Sequence, residues 1–191
     1  RAIERGTWKG VTPLYIACAE GHVDAARLLL DNGAEVDRAD KDGATPLYIA
    51  CQQGHVDVAR LLLERGAVVD SSALCEGDTV EAKYRGRRYY PGKISRDCGE
   101  GKYDIAYDDG DKEEGVDARL IRKQTLSPLY AACEKGHVDV ARLLLDNGAE
   151  VDRAVSEGYY KGTTPLSAAK SQGHSSIVAL LEEHKRRRGG N

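Results

Sequence analysis

Val23, Ala26, Leu29 and Leu30 recur three and four residues apart, which gathers them on one face of a helix starting near Val23. A shorter apolar run precedes it, from Leu14 to Ala19, opened by Thr12-Pro13 and closed by Gly21. The threonine oxygen satisfies free N–H groups at a helix start. Proline in the first helical position gives up only a donor that has no partner there. Gly33 suits the left-handed residue that follows a helix, and the segment from Ala34 to Asp42 is polar and turn-rich. One unit is therefore helix, turn, helix and an extended finger.

The unit repeats. Thr12-Pro-Leu-Tyr-Ile-Ala-Cys returns 33 residues later from Thr45, again as Ser127-Pro-Leu-Tyr-Ala-Ala-Cys, and once more as Thr164-Pro-Leu-Ser-Ala-Ala-Lys. Each copy is followed by Gly-His (His22, His55, His137, His174), and the first three run on into Leu-Leu-Leu and Gly-Ala. T-P-L-x-x-A-A, G-H, L-L-L and G-A at this period resemble the ankyrin repeat over roughly residues 1–75 and 125–187. Tyr15, Tyr48 and Tyr130 stand where that family usually carries His. The resemblance implies about four helical repeats stacked into a solenoid that binds a protein through its fingers and inner helices. The last repeat reads as a polar cap, ending in Lys185-Arg-Arg-Arg188. That basic run suits either a helix C-terminus or a nuclear-import patch. The chain opens on Arg and holds no Met, and Arg5–Gly10 resembles the finger of an earlier repeat, so it reads as a piece of something longer.

From Thr45 to Ser127 the spacing is 82 residues against a period of 33, a surplus of 49. The interruption falls in a finger, after Val68-Val69-Asp70, where insertion is best tolerated. Repeats two and three are expected still to stack, with the insert standing off the finger edge; the alternative, two separate two-repeat blocks, leaves each too short to be comfortably stable. The insert reads as strands. Val80, Ala82 and Tyr84 alternate onto one face, Tyr89–Ser95 forms a second strand with an edge or bulge at Pro91-Gly92, and Tyr103, Ile105 and Tyr107 alternate again. Asp109-Gly110 marks a hairpin turn, and a short strand near Gly115–Ala118 with Leu120-Ile121 completes five strands, enough for a small bent barrel. The expected fold class is α+β multidomain: ankyrin repeats over 1–75 and 125–191, and a five-stranded barrel over 76–124.

G-D-x-V-x-A-x-Y, Y-Y-P-G-x-I and Y-x-I-x-Y-D-D-G-D resemble a Tudor domain over Gly77–Lys123. Tudor domains of the reading type hold a methylated Lys or Arg in an aromatic cage. A methylated cation keeps its charge but loses donors, so it prefers ring faces to water. By resemblance the cage positions fall on Tyr84, Tyr90, Tyr107 and Asp109, while Asp111 stands where several such readers place another aromatic. Two carboxylates would favour mono- or dimethyl states, which keep an N–H. The alternative is a ligand-free structural insert. The chain has no Phe, so tyrosine is its main barrel-filling aromatic, and Tyr103 and Ile105 read as core.

Charge narrows the rest. Twenty-eight Lys and Arg against 31 Asp and Glu leave a net charge of -3, which argues against binding nucleic acid by bulk charge. Arg85-Gly-Arg-Arg88 reads as a solvated turn before a phosphate contact. The acidic turn Asp108–Glu114 does not place Gly and a terminal Glu at the positions a calcium loop requires. No apolar run approaches a membrane span, and Cys18, Cys51 and Cys133 read as reduced core thiols. The repeated histidines read as structural, since helices packed 8–10 Å apart do not share one ion among them. No phosphate loop or hydrolase motif occurs. The expectation is a non-enzymatic, nuclear or cytoplasmic monomer without cofactor or metal, binding a protein or peptide such as a methylated histone tail. On the stack, the expected contact positions are Arg38, Lys41, Asp42, Gln52, Gln53, Glu134, Lys135, Tyr159 and Tyr160.

Overall fold

The structure is a computed structural model that describes residues 10–40, 43–69, 79–123, 127–152 and 162–189. Its helices come in pairs, α1 (Pro13–Ala19) with α2 (Val23–Asp31), α3 (Pro46–Gln53) with α4 (Val56–Glu64), α5 (Pro128–Lys135) with α6 (Val138–Asp146), and α7 (Pro165–Ser171) with α8 (Ser175–Gly189). The first helix of each pair starts as the residues dictate. The side-chain oxygens of Thr12, Thr45, Ser127 and Thr164 accept the backbone N–H three residues on, and proline follows each. α1, α3, α5 and α7 pack in one row, and α2, α4, α6 and α8 in a second. Leu14, Leu47 and Leu129 from the first row and Leu62, Leu144 and Leu181 from the second are fully buried between them. Cys18, Cys51 and Cys133 lie in the same core, and burial pushes the thiols of Cys18 and Cys133 up to about 12. Such thiols stay protonated and unreactive at neutral pH.

The second helix of each of the first three pairs is preceded by a histidine that makes no cap bond with its side chain. In the second to fourth pairs that ring is engaged with the pair before it. His55 Nε2 lies 3.0 Å from the Ala19 carbonyl, His137 Nε2 3.1 Å from that of Gln52, and His174 Nε2 3.1 Å from that of Glu134. A carbonyl only accepts, so Nε2 carries the proton and donates. Each ring crosses a glycine in left-handed conformation. A Cβ built on Gly21, Gly54 or Gly136 would come within 2.7, 2.6 or 2.8 Å of the arriving histidine. The glycine serves twice there, admitting a positive φ and leaving room for the ring.

This contact spans the interruption. His137 follows the 49-residue surplus, yet it reaches Gln52, and α3 packs directly on α5. Repeats two and three stack as adjacent units, as expected. The two ends of the stack differ. Leu28 is 65% exposed where its counterpart Leu61 is 2%, and Ile16 is 40% exposed where Ile49 is 8%. At the other end Lys170 and Glu182, which replace the cysteine and leucine of the inner repeats, pair at 3.0 Å.

The strands form a separate unit. β1 (Thr79–Tyr84), β2 (Arg88–Gly99), β3 (Lys102–Tyr107), β4 (Lys112–Asp117) and β5 (Ile121–Lys123) build an antiparallel sheet in the order β4-β3-β2-β1-β5. Val80, Ala82, Ile94, Ile105, Tyr107, Val116 and Ile121 share one core. Val116 and Ile121 come from the two end strands, so the sheet curls until its edges face the same interior. The described pairings do not join β4 to β5, so the bent five-stranded unit is a curled antiparallel sheet that stays open between those two strands. The reason lies in β5, which has only three residues, follows a 3-10 turn (Ala118–Leu120) and is paired with β1. β2 runs further than expected, to Gly99, and its register shifts fall between Ile94 and Arg96 and between Asp97 and Gly99, past the Pro91-Gly92 pair. Gly92 instead allows a close approach, since a Cβ there would lie 2.6 Å from the Ala106 carbonyl oxygen.

The histidine contact predicts an order among glycine substitutions. Gly66→Ala meets open space, so it should cost only the left-handed backbone, about 1–2 kcal/mol. Gly54→Ala carries the same backbone cost and displaces His137, losing a further ~1 kcal/mol with the carbonyl bond. Denaturant unfolding of the two variants should show Gly54→Ala clearly the less stable.

Candidate binding site

Pairing register and ring contacts bring the three expected tyrosines together. Tyr84 ends β1 and pairs with Arg88, Tyr90 on β2 pairs with Ala82, and Tyr107 ends β3 opposite Gly92. Three tyrosines distant in sequence thus share one end of the sheet. The Tyr84 and Tyr90 ring centroids lie 6.2 Å apart with planes at 84°, and those of Tyr84 and Tyr107 lie 5.3 Å apart at 87°. Tyr84 is the hinge of two edge-to-face contacts, an arrangement the aromatic quadrupole favours.

The three rings differ in depth. Tyr107 is 4% exposed, Tyr84 is half-buried and Tyr90 is 40% exposed. Tyr107 therefore serves the core and backs the site, while Tyr84 and Tyr90 reach the surface. The Tyr107 hydroxyl donates to Glu113 Oε2 at 3.0 Å. Burial, and after it the Glu113 carboxylate, raise the Tyr107 ionisation well above its ordinary 10.0. Glu113 also accepts the Arg85 backbone N–H, at 3.1 and 3.3 Å from its two oxygens. One carboxylate on β4 thus ties the β1–β2 turn to the end of β3.

The expected acids lie in the turn that follows Tyr107. Asp109 Oδ1 accepts the Asp111 N–H at 3.1 Å, and the Asp111 carbonyl accepts the Tyr107 N–H at 2.8 Å. Both side chains are exposed and shape the β3–β4 turn. Two residues outside the expected set lie against its rings. Glu113 is the carboxylate bonded to a ring hydroxyl, and the Arg85 guanidinium sits 5.1 Å from the Tyr84 ring centroid. Lys83 Nζ lies likewise 5.3 Å from the Tyr89 ring, its cross-strand partner. Nothing in the local sequence marks Glu113 apart from its neighbours. Arg85 was legible only as part of a basic turn.

On the helical unit, Gln52 Nε2 donates to the Tyr48 hydroxyl at 3.1 Å, and the Thr163 hydroxyl donates to that of Tyr130 at 3.3 Å. Tyr48 thus bonds within its own helix, while Tyr130 is bonded by Thr163, which precedes the next helix pair. Burial, with Glu134 next, pushes Tyr48 up to about 12. Glu134 lies beside Lys135 Nζ at 3.6 Å, while Gln53 and Lys135 are exposed at the inner-helix ends. Arg38 pairs with Glu35 at 3.4 Å and lines a cleft of about 290 Å³ beside Leu14 and Leu29. Lys41, Asp42, Tyr159 and Tyr160 lie outside the described residues. The repeated histidines are placed by carbonyl contacts, and among the described residues no three His, Cys, Asp or Glu gather as a metal site. No described helix is long and apolar enough to cross a membrane. Arg186, Arg187 and Arg188 occupy the last turn of α8, where cations are favoured, and Lys185 pairs with Asp152 at 2.8 Å.

Comparison with known proteins adds a family. A family model described as ankyrin repeats (3 copies) matches residues 2–73 and 110–188, the second stretch beginning ahead of α5 within the sheet. The mouse serine/threonine-protein kinase TNNI3K is 40% identical over 63 residues, 30% of this chain and 8% of that protein. The Dictyostelium discoideum 26S proteasome non-ATPase regulatory subunit 10 is 36% identical over 72 residues, 38% of this chain and 30% of that one. The Drosophila melanogaster ankyrin repeat and KH domain-containing protein mask is 34% identical over 84 residues, 44% of this chain and 2% of its own length. The chain thus spans less than a third of each of these relatives.

The raised tyrosines set a pH dependence. Their folded ionisation lies above the ordinary 10.0, so the stability they contribute is fully present below pH 10 and is lost as pH rises through the folded values. Denaturation midpoints of the parent chain should fall as pH rises from the ordinary 10.0 through the Tyr48 value of about 12. Tyr48→Phe and Tyr107→Phe should each flatten the fall. An unchanged slope in both variants would show that these phenols do not carry it.

Proposed function

The chain belongs to the ankyrin repeat family, whose members are protein-interaction scaffolds, and we propose that its stack binds a protein partner while its sheet unit reads a methylated lysine or arginine. The supporting observation is the pair of surface rings. Tyr84 and Tyr90 stand at 84° to one another, 6.2 Å between centroids, with Tyr107 and its Glu113 bond fixing Tyr84 from behind. Two ring faces meeting near a right angle make two walls of a cage for a cation that has lost its N–H donors. The resemblance of the strand sequence to Tudor domains points the same way.

Charge suits a basic peptide, such as a histone tail. Asp108, Asp109 and Asp111 project from the adjoining turn, exposed, where they attract cationic flanking residues. On the stack, Gln53 and Lys135 offer exposed polar ends beside the half-buried Gln52 and Glu134, and Arg38 offers a finger contact at the first repeat. Lys41, Asp42, Tyr159 and Tyr160 extend the proposed partner surface by their positions in the repeats. This reading gives the chain no catalytic role.

A second reading has its own support. Tyr107 is core, bonded through its hydroxyl, so the tyrosines also serve to hold the sheet, as a ligand-free spacer would require. Titrating the whole chain with unmodified, mono-, di- and trimethyl-lysine and dimethyl-arginine peptides separates the two. Methyl-dependent binding is expected, weakened roughly five- to thirtyfold in Tyr84→Ala or Tyr90→Ala, as loss of one ring face implies. Peptide binding indifferent to methylation, or absent up to millimolar peptide, would leave the spacer reading.

A further inference from the structure

We infer that Arg85 is the chain's own occupant of the tyrosine site, a guanidinium seated on Tyr84 that an incoming cation must displace; this rests on the cation-binding reading above. Three observations converge on it. The Arg85 guanidinium carbon lies 5.1 Å from the Tyr84 ring centroid, within the range of a cation–π contact. Tyr84 meets Tyr90 and Tyr107 in edge-to-face contacts, so the surface ring that also touches the buried one is the ring already carrying a cation.

The second observation is the backbone. Arg85 has φ 48° and Gly86 has φ 70°, two consecutive left-handed residues in the β1–β2 turn. A turn with positive φ at both central residues favours Asn, Asp or Gly in the first position, and arginine is a poor local choice. The third is what holds it. Glu113, reaching from β4, accepts the Arg85 N–H with both oxygens and the Tyr107 hydroxyl with one. The carboxylate that fixes the back wall of the site thus also fixes the residue that covers it. Arg87, two residues on, is exposed in the same turn and lies over no described ring.

The consequence is competition. A ligand cation gains the Tyr84 face only as Arg85 leaves it, so measured affinity in the parent chain is lowered by the internal contact.

The test is a titration of the full chain and of Arg85→Gly, Arg85→Gln and Arg87→Gln with trimethyl-lysine and dimethyl-arginine peptides. Glycine accepts the left-handed backbone, so Arg85→Gly removes the guanidinium without straining the turn. Both Arg85 variants should bind roughly two- to fivefold more tightly than the parent, the size of one exposed cation–π contact. Arg87→Gln removes the same charge away from the ring and should gain less. In the free parent chain the Arg85 methylene protons should show ring-current shifts that relax as peptide is added. Equal affinity for parent and Arg85 variants would overturn the inference while leaving methyl recognition standing. Weaker binding by the Arg85 variants would make the arginine a wall of the site and overturn it too. Absence of binding in every chain would remove the cation-site reading and this inference together.

Discussion

The helical unit depends on one repeated contact, the histidine ring that crosses a glycine to reach the carbonyl of the preceding helix pair. It asks three things of the chain at once. The glycine must take a positive φ and carry no Cβ, the inner helix must end with a free carbonyl, and the next pair must start with histidine. Gly54, Gln52 and His137 meet all three across a 49-residue surplus, as Gly21, Ala19 and His55 do without one. A lone hydrogen bond of this kind contributes about 1 kcal/mol. Its structural weight comes from registering the leucine rows, where Leu47, Leu129, Leu62 and Leu144 are wholly buried.

This explains why an insertion in a finger leaves the stack intact. The contact between repeats two and three is made at helix ends and along helix faces, and the finger contributes none of its three parts. Loop-closure entropy grows slowly with length, so lengthening a finger costs little beyond its first residues. The inserted unit is also self-sufficient in its apolar contacts, with Ile94 and Ile105 fully buried among residues of its own strands.

Within the sheet unit, curl and depth sort the tyrosines into roles. Tyr107 joins the core, Tyr90 lies outside, and Tyr84 is intermediate in depth. Glu113 couples the three by holding the Tyr107 hydroxyl and the Arg85 backbone together, so the surface rings stand on a bonded foundation. Arginine and lysine over Tyr84 and Tyr89 show that this unit already uses ring faces to hold cations of its own.

Much of this was legible in the chain itself. Caps, helix pairs and glycine turns follow from local chemistry, because Thr-Pro openings and left-handed glycines act within a few residues. The β1 and β3 boundaries, Thr79–Tyr84 and Lys102–Tyr107, follow from strict alternation for the same reason. The tyrosines of the site were legible as types and spacing. Their depth was not, since burial depends on how far the sheet curls. The open edge between β4 and β5 was hidden too, because strand closure is set by register between distant segments. Glu113 and Arg85 were invisible as site residues for a like reason. Each acts through a partner on another strand, Tyr107 bonding Glu113 from β3 and Glu113 holding Arg85 from β4, and only the folded sheet sets those distances. The sequence by itself determined the repeats, the insertion and the kinds of side chain available. Tertiary structure decided which ring is exposed, which is core, and which cation already lies over Tyr84, because those depths and distances are set only when the strands pair.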